Sequence, residues 1–186
     1  MPLVVFLKGV NVGGHKTCRP SMVAKKLAKY RVTNLGAAGT LVVGQTIVEA
    51  KLRRELRRCL PFETEAMICS GDDLLRLVSE EPFAGEPCAP EIVRFVSVLG
   101  KSPRALPVLP LSLPAGEEWL VKIVAVRESF AFGLYKRRPE TISVVGQIEK
   151  CLGTSITTRN WNTFVKLLQL VTTQIRDATV PSVATS

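Results

Sequence analysis

Apolar residues along this chain recur with two different periods, and the switches between them mark out its elements. Leu3, Val4, Val5, Phe6 and Leu7 form an apolar run closed by Lys8 and Gly9, which predicts a short buried strand. The polar stretch from Asn11 to Lys16 then reads as a loop. Pro20 and Ser21 open a helix with Val23, Leu27 and Tyr30 on one face and Lys25, Lys26 and Lys29 elsewhere. Small and β-branched residues over 32–43, punctuated by Gly36 and Gly39, predict two strands around a turn. Val48, Leu52, Leu56, Cys59 and Leu60 line a helix that Pro61 stops. Glu65 to Cys69 predicts a strand, and Asp72 is read as the cap of a helix running to about Ser79. The order predicted for this half is β-α-β-β-α-β-α.

Pro82, Gly85 and Pro87 cannot continue that helix, so a linker and a domain boundary are expected near residue 85. Residues 92–99 predict a strand, and Pro103, Pro107, Pro110 and Pro114 break any helix after it. Residues 119–126 and 130–135 read as a strand pair, and 140–152 as partly helical, ended by Gly153. The final helix is expected over 160–175, because Phe164, Leu167, Leu168 and Val171 fall at the i, i+3, i+4, i+7 positions of one stripe. The fold class that follows is α+β. It consists of two ferredoxin-like units with mostly antiparallel sheets, over 1–85 and 86–176, and a frayed tail over 177–186.

At 186 residues and 46% apolar content the chain builds real cores. Lys, Arg, Glu or Pro interrupts every apolar run well short of the roughly 18 residues that span a bilayer, so no membrane partner is expected. Met1 to Gly9 lacks a cationic stretch ahead of its apolar run and fails as a signal peptide, so a cytoplasmic, reducing setting is expected. Cys18, Cys59, Cys69, Cys88 and Cys151 are scattered, with no Cys-x-x-Cys and His15 as the one histidine. Buried free thiols are expected, with no metal site, cofactor or disulfide. The net charge of +9 divides unevenly: 12 basic against 2 acidic residues over 1–58, 1 against 8 over 59–91, and 12 against 6 over 92–186. Such a field favours encounters with nucleotides, polyanions or acidic surfaces.

Three segments offer candidate chemistry. Lys51, Arg53, Arg54, Arg57 and Arg58 crowd one helix, and Lys51, Arg54 and Arg58 share a face suited to tracking phosphates. Glu49 and Glu55 are placed to neutralise it instead. The charges come without interleaved aromatics or an RNA-binding signature, so nucleic acid enters as a partner on charge alone. The loop from Asn11 to Lys16 has glycines that expose backbone N–H groups, with Lys8, His15 and Lys16 nearby, yet it fits neither phosphate-loop pattern. His15 is the one candidate imidazole acid or base, and the surrounding residues supply no partner that orients it.

Residues 157–163, Thr-Thr-Arg-Asn-Trp-Asn-Thr, precede the final helix stripe. Thr158 or Asn160 reads as its N-cap, which puts Arg159 at the positive end of the helix dipole, where a cation is disfavoured by about 0.3–1 kcal/mol. A bound anion, cradled by free N–H groups, Thr hydroxyls and the guanidinium, removes that conflict. Pairing of Arg159 with a carboxylate such as Glu149, with Asn160 and Asn162 as caps, removes it equally. Trp161 continues the apolar face and reads as a core anchor, and Trp119 reads as core within a strand.

With Gly9-Val10-Asn11-Val12-Gly13-Gly14 near one end and residues 157–163 near the other, the chain resembles a largely bacterial family, the domain of unknown function numbered 1697. The resemblance implies a two-part α+β fold of ferredoxin-like units and no particular activity. It carries Asn11, Gly13, Gly14, Thr158, Arg159, Asn160, Trp161, Asn162 and Thr163 over from the family pattern. Lys8 stands where that pattern tends to have Arg, and Ala38-Gly39-Thr40 where it tends to read Ser-Gly-Asn. The function expected is a non-enzymatic module that binds a phosphate- or carboxylate-bearing small molecule through Lys8, Asn11, Gly13, Gly14, Thr158, Arg159, Asn160, Asn162 and Thr163. No paired carboxylates, metal-ligand spacing or nucleophile motif is present, so no catalytic residue is assigned. Two other classes stay open. One is an enzyme acting on a phosphorylated small molecule, and the other is a structural or protein-interaction role; the oligomeric state is not legible in the sequence.

Overall fold

The computed structural model describes residues 1–12, 16–103 and 105–179, with side chains up to Asp177. The chain forms two compact units, one from Met1–Leu75 with the chain from Val165 onward, the other from Arg76–Phe164. The boundary expected near residue 85 lies inside the second of these. In the first unit the elements run β1 (Leu3–Leu7), α1 (Pro20–Lys26), a 3-10 turn (Ala28–Tyr30), β2 (Val32–Asn34), β3 (Thr40–Val43), α2 (Glu49–Cys59), β4 (Ala66–Ser70) and the start of α3 (Gly71–Ser79). This is the predicted order, and the sheet order β2-β3-β1-β4 with antiparallel neighbours throughout makes it a split β-α-β arrangement.

The apolar run of β1 explains its central place. Val4, Val5, Phe6 and Leu7 are all fully buried, as expected of a strand covered on both faces. On one face Val5, Leu7, Leu41 and Val43 pack with Val23, Leu27 and Tyr30 from the α1 segment and Leu52 and Leu56 from α2. Each such side chain contributes about 1.5–3 kcal/mol when fully buried. The cap of α3 differs from expectation: the Ser70 hydroxyl, not Asp72, accepts the Asp72 backbone N–H at 3.1 Å. Serine sits one residue outside the helix, where its oxygen reaches the second N–H of the first turn.

The second unit contains β5 (Ile92–Leu99), β6 (Leu111–Leu113), β7 (Val121–Arg127), β8 (Phe130–Lys136), α4 (Thr141–Val145), α5 (Ile148–Leu152) and β9 (Ile156–Asn160), followed by α6 (Trp161–Thr179), which begins here. Its sheet order is β6-β7-β8-β5-β9, again antiparallel throughout. Without β6, the order β7-β8-β5-β9 repeats that of the first sheet. The proline-rich segment and β6 stand where the first unit has its crossover helix, because prolines remove the N–H groups a helix there would need. Gly153 ends α5 in a left-handed conformation, φ 62°, as its position predicts.

Four expectations need correction. Ile156–Asn160 is a strand, where only a polar lead-in and a helix cap are expected, because β-branched Ile156, Thr157 and Thr158 suit the free edge of β5. The final helix starts at Trp161 and runs to Thr179, past the predicted 175, so the tail expected from 177 begins inside a helix; residues 180–186 lie outside the described residues. Trp119 precedes β7 and is half-buried between the Lys122 and Lys136 ammonium groups, 5.5 and 4.7 Å from its ring centroid. All five thiols are free, but Cys88 and Cys151 are exposed rather than buried. Among the described residues, no helix is long and apolar enough to cross a membrane.

Close packing is tightest where Phe95 on β5 faces Gly133 on β8, its register partner. A Cβ at Gly133 would lie 2.5 Å from Cζ of Phe95 and 2.7 Å from the Lys122 carbonyl oxygen, so neither ring nor backbone leaves room for it. Gly133→Ala is therefore expected to lower the thermal midpoint by roughly 2–10 °C. Calorimetry checks this, and an unchanged midpoint would mean that the ladder has slack the geometry denies.

Candidate functional site

The amino-terminal candidates are held by backbone contacts. Lys8, half-buried, donates its N–H to the Glu65 carbonyl at 2.9 Å and accepts the Thr64 hydroxyl on its own carbonyl. Asn11 sits at φ 57°, a conformation asparagine tolerates better than most residues. Its side-chain oxygen accepts the Cys18 N–H at 3.0 Å, and its amide nitrogen donates to the Cys18 carbonyl at 2.9 Å and the Ala37 carbonyl at 2.7 Å. The side chain thus closes its own loop and ties it to the turn between β2 and β3. Gly13, Gly14 and His15 lie outside the described residues. Thr40, at one of the departures from the family pattern, is fully buried in β3.

The carboxy-terminal candidates divide by strand alternation. Thr157 and Arg159 share one side of β9, and Arg159 donates to the Thr157 hydroxyl at 2.8 Å and the Thr158 carbonyl at 2.9 Å. Arg159 is 6% exposed, and burial holds its pKa down at about 10, still high enough to keep it charged at neutral pH. It stands one residue before the N-cap Asn160, just ahead of the first turn as its sequence position predicts, but on the edge strand β9 and with its guanidinium turned to that strand. Thr158 points the other way and shares a hydrogen bond with Ser97, its register partner, at 2.8 Å between hydroxyl oxygens. Asn160 is the N-cap of α6: its side-chain oxygen accepts the Asn162 N–H at 2.8 Å. Thr163 is half-buried in the first turn.

What the motif builds is a cleft of about 240 Å³ lined by Asn160, Trp161 and Asn162 together with Ile92, Arg94 and Arg137, among others. The Arg137 N–H donates to the Glu91 carbonyl at 2.9 Å, which fixes the exit from β8 beside the entry to β5. Arg94 lies 5.3 Å from the Phe83 ring centroid and donates to the Glu86 carbonyl at 3.3 Å. The Glu86 carboxylate is taken by Lys122 at 3.0 Å. Among the described residues neither Arg94 nor Arg137 has a carboxylate partner, and no carboxylate lines the cleft. Trp161 stacks on Phe164 at 5.8 Å and meets Phe83 edge-on at 4.9 Å, so it anchors the core with one part and lines the cleft with another.

Arg94 and Arg137 were not singled out in the sequence. The visible signal for Arg94 was one cation within a strand run whose other residues, Ser97 apart, are apolar. Lys51, Arg54 and Arg58 are exposed on α2, as predicted, and Glu49 and Glu55 do pair, with Arg53 at 2.7 Å and Arg58 at 3.3 Å.

Two substitutions separate structural from ligand roles. Asn11→Asp, which loses two donors and turns a carboxylate toward two carbonyls, is expected to cost about 1–3 kcal/mol in urea denaturation. Arg159→Lys keeps the charge but loses the planar fork, with an expected cost of about 1–2 kcal/mol. If either residue served a ligand alone, stability of the free protein would stay at the wild-type value.

No curated protein and no solved structure matches the chain. A family model described as protein of unknown function (DUF1697) matches residues 1–119, a span that includes Asn11 and Arg94 and ends before the 157–163 motif. On that match, which takes in well over half of its length, the chain belongs to the DUF1697 family of proteins of unknown function.

Proposed function

We propose that the protein is a non-enzymatic module that binds a small phosphate- or carboxylate-bearing molecule in the cleft at the start of α6. The observation that carries this reading is the convergence of Arg94 and Arg137, without carboxylate partners among the described residues, on the capped first turn of a long helix. A guanidinium pair supplies charge and directional donors, and the helix start adds its positive dipole end. Ile92, Val93 and Trp161 give the same cleft an apolar wall for the body of the ligand. The role of Arg159 is then to hold β9 and so to position Asn160, rather than to touch the anion.

Binding is favoured over turnover by the chemistry of the lining. Among the described residues Cys88 is the one nucleophile in the lining, and no carboxylate lines the cleft to serve as its base. Calorimetric titration with inorganic phosphate and a panel of small phosphomonoesters and dicarboxylates tests the proposal. Arg94→Gln and Arg137→Gln are each expected to weaken binding about tenfold, and added salt to weaken it further. Absence of saturable binding across the panel, or variants that bind as the wild type does, would overturn it.

A further inference from the structure

One stretch carries a net charge as large as that of the whole chain, because the surplus over 92–186 and Lys8 is offset by the acidic residues of 59–91. Residues 16–58 hold eleven Lys and Arg against two Glu, and most of these cations lie on or beside α1 and α2 of the first unit. Both carboxylates are already engaged, Glu49 with Arg53 at 2.7 Å and Glu55 with Lys29 at 3.4 Å and Arg58 at 3.3 Å. Arg19, Lys26, Lys51, Arg54 and Arg57 have no carboxylate partner among the described residues.

Contacts between the helices bring part of this set together, Arg19, Lys26 and Arg58 around one cleft and Lys29 and Lys51 over one ring, whereas Arg57 lines a separate cleft with Lys16, Glu63 and Glu65. Lys26 donates to the Cys59 carbonyl at 3.3 Å, tying α1 to the end of α2. The Lys29 and Lys51 ammonium groups lie 4.9 and 6.0 Å from the centroid of the same Tyr30 ring, which stabilises both without neutralising either. Between the helices a cleft of about 330 Å³ is lined by Arg19, Lys26 and Arg58 over Met22, Val23 and Leu60, and no carboxylate lines it. Crowding cations in this way destabilises the folded chain through self-repulsion, and a bound polyanion relieves it.

We infer that the α1–α2 face binds the phosphodiester backbone of a nucleic acid strand without reading its bases. An extended ligand is favoured over a single anion because Lys51, Arg54 and Arg58 alone spread over roughly 10 Å of helix axis. Backbone contact is favoured over base recognition because Tyr30, the ring beneath these cations, is 9% exposed and offers no stacking platform. This face and the cleft at the start of α6 share no residue, so either reading can fail without the other.

Fluorescence anisotropy with labelled single-stranded DNA and RNA of unrelated sequences is the test, with anionic lipid vesicles as competitor. About five phosphate contacts predict a roughly 100-fold loss of affinity between about 50 and 200 mM salt, alike for every sequence. Lys51→Gln/Arg54→Gln, at two exposed positions, is expected to keep the wild-type fold by circular dichroism. It is also expected to flatten the logarithmic salt slope from about −3.5 to about −2. Lys150→Gln/Lys166→Gln removes the same charge elsewhere and is expected to leave the slope unchanged. Equal slopes in the wild type and the first variant, equal losses in both variants, or tighter capture by the vesicles would each overturn the inference.

Discussion

Each sheet depends on one strand that is buried on both faces. Val4 to Leu7 in β1, and Phe95, Val96, Val98 and Leu99 in β5, are between 0 and 2% exposed. Water reaches none of their backbone groups, so the N–H and C=O groups along both edges must find partners in neighbouring strands. That requirement places β3 and β4 beside β1, and β8 and β9 beside β5. It gives the two sheets the same core order although their crossovers differ, a helix in one unit and a proline-rich segment with β6 in the other.

The same requirement explains the motif at 157–163. Pairing with β5 turns its first residues into a strand, and the register Val96 to Arg159, Ser97 to Thr158 decides which side chains turn inward. Arg159 is buried and spends donors on its own strand, while Asn160, one residue on, leaves the sheet and caps α6. Two neighbouring polar residues thereby acquire opposite tasks, one holding the strand and the other opening a helix beside two arginines. Asn11 is a parallel case. Its amide saturates three backbone groups, so a residue with the look of a ligand contact is the clasp of its loop.

Charge is organised differently at the two cationic places in the chain. At the α6 start two arginines, from β5 and from just past the end of β8, line a small cleft that also has an apolar wall. On α1 and α2 the cations are spread over helical surface with the two carboxylates of that stretch already engaged. Net charge alone does not distinguish these; the backbone that carries the charges does.

Periodicity determined the element order of the first half and the strand over 92–99, and the backbone chemistry of Pro61 and Gly153 determined two stops, because those signals lie within a few residues of the structure they specify. The uneven distribution of charge was equally plain from the sequence. Only the tertiary structure decided that Ile156–Asn160 is a strand, since a polar, β-branched segment takes that form when β5 offers it a free edge. It likewise decided that Arg94 and Arg137, 43 positions apart in the sequence, meet Asn160 and Asn162 in one cleft. The physical reason is that a side chain's face and neighbours follow from strand register, and register is settled by which strands bury one another, a relation between distant segments that no local pattern records.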